Sequence, residues 1–116
     1  MKRRKIVASG LAAINVSEAN SDFELQYRPP AEVDKARFHL WSSRAVLDAQ
    51  AHDAGAVTGD VATMELIRDR FAHTLQPARR RQLDAGLRQL RAASDAGNLP
   101  AAADHAAQLV AWLRRD

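Results

Sequence analysis

The chain contains no cysteine, which excludes disulfides, thiolate nucleophiles and cysteine-ligated zinc. It has only five glycines and four prolines in 116 residues, and no low-complexity segment or internal repeat. No apolar run approaches the ~20 residues that a membrane-spanning helix needs. A glycine-rich phosphate loop, a His-Glu-x-x-His motif and any recognisable nucleophile motif are also absent. The charge excess is small. Seventeen basic residues against fourteen acidic ones give a net charge of +3, which permits an acidic partner without demanding one.

What is present favours helix. Hydrophobic residues make up 47% of the chain and charged residues 27%, and the length suits one domain with a modest core. From residue 31 onward Ala, Leu, Arg, Gln and Asp dominate while β-branched residues are thin, a bias toward helix.

The first thirty residues read differently, as a basic tail and a β-hairpin. MKRRK followed by IVASGLAAINV, with Ser17 and Ala19 beyond it, resembles a secretory signal in outline. The apolar run is broken by Ser9, Gly10 and Asn15, so the expected location is cytoplasmic. A periplasmic helical protein is the reading if that segment is a signal. In DFELQYRPP, Phe23, Leu25 and Tyr27 alternate with Glu24, Gln26 and Arg28, the period of a strand with one buried face. Pro29-Pro30 ends it. Ile6, Ala8, Ala12, Ile14 and Val16 share one parity upstream, and SEANS would connect the two strands.

Residues 31–116 are expected to form a bundle of about four helices. The first, about 31–52, carries Val33, Ala36, Leu40 and Leu47 on one face, widened by Phe38, Trp41 and Ala45. The second, about 60–75, spaces Val61, Met64, Ile67, Phe71 and Leu75 by three and four, with Thr58 or Asp60 as cap. The third runs from Pro77 through Leu83, Leu87 and Leu90 to Gly97-Asn98. The fourth follows Pro100 and buries Ala102, Ala106, Leu109 and Leu113. The fold class is therefore mostly α, with an N-terminal hairpin packed on a small helical bundle, all in one domain.

Residues 47–68 contain a spacing that resembles the helix-turn-helix motif of DNA-binding regulators. Ala51, Gly55, Val61 and Met64 stand where a close crossing, a turn glycine and two locking apolar residues belong. Thr58, Thr63 and Arg68 would then contact DNA. The match covers about twenty residues and departs from the pattern in three respects. Gln50 lies where an apolar residue packs under the crossing, Gly59 sits in the opening turn of the would-be reading helix, and Asp60 and Glu65 would face phosphate. The preferred reading is a plain helix-loop-helix corner.

Other candidates are weighed against ordinary surface chemistry. Asp48 and His52, like Asp69 and His73, are four apart and could share a helix face. No third ligand or nucleophile accompanies either pair, so no enzyme, cofactor or metal is expected. Arg79, Arg80 and Arg81 open the third helix, where cations oppose the helix dipole. Phe38, Trp41, Leu109 and Trp112 lie on helix faces broader than a single stripe, which suggests surface covered by a partner or a second copy. The expected function is a non-enzymatic regulatory or adaptor protein that binds another protein, for example sequestering a transcription factor, and pairs as a homodimer. Phe38, Trp41, Arg79, Arg80, Arg81, Leu109 and Trp112 are its expected partner-binding residues. A DNA-binding regulator is the alternative.

Overall fold

The computed structural model describes residues 29–115. The hairpin, the basic tail and the signal-like segment lie outside them. The described residues form four α-helices: α1 (Pro30–Gln50), α2 (Ala54–Phe71), α3 (Pro77–Asp95) and α4 (Leu99–Arg114), with a 3₁₀ turn at Ala72–Thr74. None is long and apolar enough to cross a membrane. Contacts across each neighbouring pair, such as Asp34 with Arg70, Arg68 with Asp84 and Arg79 with Trp112, make consecutive helices antiparallel. α4 returns to pack on α1. The result is an up-down-up-down bundle.

The loops are short because their chemistry is local. Asn98 N–H bonds the Ala93 carbonyl and Gly97 N–H the Ser94 carbonyl, closing α3 with a Schellman motif around Gly97 at φ 69°. Asn98 then caps α4 by accepting from Ala101 N–H at 3.2 Å. The same device ends α1, but with histidine in place of glycine. His52 N–H bonds Ala49, Asp53 N–H bonds Asp48, and His52 holds φ at 60°. Asp53 closes the connection by accepting from Ala56 N–H at 3.1 Å. A side chain in the left-handed region costs roughly 1 kcal/mol. His52→Gly should therefore raise the urea midpoint by the equivalent of about 0.5–1 kcal/mol. An unchanged midpoint would mean that His52 makes a compensating contact.

Two expectations about these elements are corrected. α2 begins at Ala54 with Asp53 as its cap, not near residue 60 with Thr58 or Asp60, so Gly55 and Gly59 are helical. The buried face of α1 is Val33, Phe38, Ser42, Ala45 and Ala49, whereas Ala36 is exposed, Leu40 half-buried and Leu47 48% exposed. Small residues explain the choice. Ser42, Ala45 and Ala49 let α2 approach α1 closely, and the Ser42 hydroxyl is satisfied by the Phe38 carbonyl at 2.8 Å.

The rest of the core follows the periodicity, except that Leu113 is only half-buried. Met64, Ile67 and Phe71 of α2, Leu83, Leu87 and Leu90 of α3, and Ala102, Ala106 and Leu109 of α4 are all buried. Phe38 and Phe71 meet edge to face at 5.7 Å.

Candidate functional site

The α1–α2 corner is a helix-loop-helix whose turn falls at residues 51–53. A DNA-reading motif in the expected register needs its turn at Gly55, which instead lies in the first turn of α2. Its three expected contact residues are occupied within the fold. Exposed Thr58 donates to the Ala54 carbonyl at 3.1 Å and lies 3.3 Å from Ser94 Oγ. Thr63 donates to the Gly59 carbonyl at 2.9 Å. Arg68 grips both carboxylate oxygens of Asp84 at 2.8 and 3.0 Å and reaches Asp69 at 3.0 Å. Glu65 accepts from Arg91 of α3. Asp60, expected to face a groove, is only 4% exposed.

The histidine pairs do not form on helix faces. His52 stands past the end of α1 and His73 lies in the 3₁₀ turn. Among the described residues no group of three His, Asp or Glu could hold a metal ion.

The expected partner-binding residues divide into three groups. Phe38 and Leu109 are core, 0% and 3% exposed, and are corrected on that ground: no partner reaches them while the bundle is folded. Arg79 stacks on Trp112, its guanidinium carbon 3.9 Å from the ring centroid, and donates to the Trp112 carbonyl at 3.2 Å. Trp112 in turn donates to Gln82 at 2.9 Å. This answers the unfavourable position of an arginine at the start of α3. Its charge rests on the last carbonyls of α4, the negative end of that helix's dipole. Arg80 is half-buried and Arg81 exposed on the first turns of α3. Trp112 lines a cleft with Ala85 and Gly86 of α3, and Trp41 lines a cleft between α1 and α2.

That cleft is one of two seams along α1. On the α2 side, Trp41, Leu66 and Ile67 line a cleft of about 510 Å³ together with Asp34, Arg37, Thr63 and Arg70. Leu66 is 69% exposed. The Arg44 guanidinium lies 4.9 Å from the Trp41 ring centroid, and Arg70 pairs with buried Asp34 at 3.4 Å. On the α4 side, Ser43, Val46, Leu47, Ala107 and Val110 line a shallower groove of about 330 Å³ with almost no polar surface. Sequence reasoning missed the exposure of both Leu66 and Leu47. Leu66 falls outside the buried stripe of α2, and a lone off-stripe leucine is ordinary.

Beside the first seam sits an acid pair. Asp60 of α2 has its carboxyl pushed up to about 8 by burial and by its hydrogen bond to Asp48 of α1, with Asp53 adding repulsion and Arg44 opposing it. One Asp60 oxygen is buried without a hydrogen-bond partner, which suits a neutral acid and penalises a charged one.

Comparison with protein-family models, curated proteins and solved structures gives no match. What the protein does is therefore read from its own surfaces.

Proposed function

We propose that the protein is a non-enzymatic regulatory or adaptor protein of the cytoplasm. It works by binding another protein, as in sequestering a transcription factor, and pairs with a second copy of itself. The observation that carries the reading is the apolar groove between α1 and α4, centred on half-exposed Leu47. Exposed contiguous apolar surface on a small domain marks an interaction face. Ala103, Ala107 and Ala111 recur every four residues along this side of α4, and small side chains let another helix approach closely. Charge supports self-pairing. Exposed Asp104 and exposed Arg114 lie toward opposite ends of α4, so a two-fold axis across the groove sets each against the other copy's opposite charge.

Sedimentation velocity tests the reading. Wild-type protein at micromolar concentration should sediment as a dimer. Leu47→Asp, an exposed change that leaves the core intact, should weaken pairing by at least about tenfold. A wild-type monomer at tens of micromolar would overturn the dimer. Steep, salt-dependent binding of random duplex DNA would favour a nucleic-acid reading instead.

A further inference from the structure

The α1–α2 cleft has the chemistry of a second, different interface. Its floor is apolar and rigid: Trp41 is held by Arg44 and by the bundle, and Ile67 is buried. Leu66 stands 69% exposed at its edge, more than any other large hydrophobic side chain of the described residues. Two guanidiniums, those of Arg37 and Arg70, line the cleft against the single carboxylate of Asp34, and a third, that of Arg44, lies over the Trp41 ring within reach of the Asp60 carboxyl. Along α1 the cleft's lining runs from Asp34 to Trp41. Seven residues separate those positions, about 10 Å, or two helical turns of a ligand.

On the protein-binding reading above, we propose that this cleft receives an acidic, amphipathic helical segment of the partner protein. One large apolar side chain of that segment seats on Trp41 and Leu66, and its carboxylates meet Arg37 and Arg70. Apolar contact supplies the anchor. The arginine rim supplies orientation and selects acidic over neutral or basic segments, because a guanidinium pairs a carboxylate through two parallel hydrogen bonds. The cleft differs in this from the α1–α4 groove, whose lining offers almost no polar group to set a ligand's charge.

Fluorescence anisotropy of labelled synthetic peptides on the full chain tests the proposal. One peptide spans about four helical turns with Leu and Phe at helical spacing and Glu on the other face; its twin carries Gln for every Glu. The Glu peptide should bind, weaken with added salt, and bind at least about tenfold more tightly than the Gln peptide. Leu66→Ala and Arg70→Ala should each weaken it by about tenfold, while Arg88→Ala, a charge-matched change on exposed α3 surface, should not. Circular dichroism of each variant confirms folding. Equal binding of both peptides would overturn the proposal, as would indifference to Leu66→Ala, or binding to a labelled DNA duplex but to neither peptide. If neither peptide binds while sedimentation still shows a dimer that Leu47→Asp weakens, the cleft proposal falls and the broader reading stands. If the Glu peptide binds as described but the protein is monomeric, self-pairing falls and the cleft stands.

Discussion

Asp60→Asn is expected to stabilise the protein by about 2–4 kcal/mol at pH 8 and to flatten its pH dependence. The folded Asp60 carboxyl titrates near 8 instead of its usual 3.8, so between those values the native state holds a proton that the unfolded state has released. Stability must then fall as pH rises, at about 1.4 kcal/mol per pH unit, and level off above the folded value. The groups that set this are all local: Asp48 and Arg44 of α1, Asp53 of the turn, and burial itself. His39 works in the opposite sense. Burial, and then the Arg114 charge, hold its pKa below 6.5, so its contribution grows as pH rises toward 6.5 and is complete above it. The window from about pH 6.5 to pH 8 therefore isolates Asp60, and wild-type protein should lose about 2 kcal/mol across it. The asparagine amide can donate to Asp48 as the neutral acid does, without ever ionising. Urea midpoints at several pH values measure both proteins. A wild-type midpoint that stays level across the window, or an Asp60→Asn curve that parallels it, would show that Asp60 is charged in the native state.

The Asp60 pair was not legible in the sequence, and the reason is general to this chain. Aspartate reads as surface, and nothing in the spacing of Asp48 and Asp60 reveals that a bend at residues 51–53 brings them together. The bend itself was misplaced because Gly55 and Gly59 look like breakers. Yet the turn was made by His52 in a conformation that glycine usually supplies. Where large apolar residues recur at three and four, as at Leu83, Leu87 and Leu90 or Met64, Ile67 and Phe71, pattern and structure agree. α1 fails that test because its hydrophobic residues surround it. There the packing was decided by Ser42, Ala45 and Ala49, whose merit is small size and not hydrophobicity. The seams followed from that rotation. Once α1 turns its small residues inward, Leu47 and Trp41 are left along its two edges.

Phe38 and Trp41 allow this rotation to be tested by stability and by binding together. They are one helical turn apart, and the sequence assigns them the same role. In the structure Phe38 is 0% exposed, edge-on to Phe71, while Trp41 lines the α1–α2 cleft. Phe38→Ala removes a buried ring and leaves a cavity, and should cost about 3–5 kcal/mol, a large part of the 5–15 kcal/mol that holds a typical domain together. Phe38→Leu fills most of that space, and should cost less while forfeiting the aromatic contact, itself about 0.5–1.5 kcal/mol. Trp41→Ala should cost less than Phe38→Ala, since the Trp41 ring is only half-buried at the edge of the core, but should weaken the acidic peptide by at least about tenfold. Urea denaturation gives the stabilities and peptide anisotropy the affinities, with Phe38→Leu measured where it remains fully folded. The expected result is a crossing: the Phe38 variants lose stability and keep peptide affinity, and the Trp41 variant does the reverse. If Trp41→Ala unfolds the bundle while Phe38→Ala leaves its stability untouched, α1 is rotated the other way and the cleft does not exist as described.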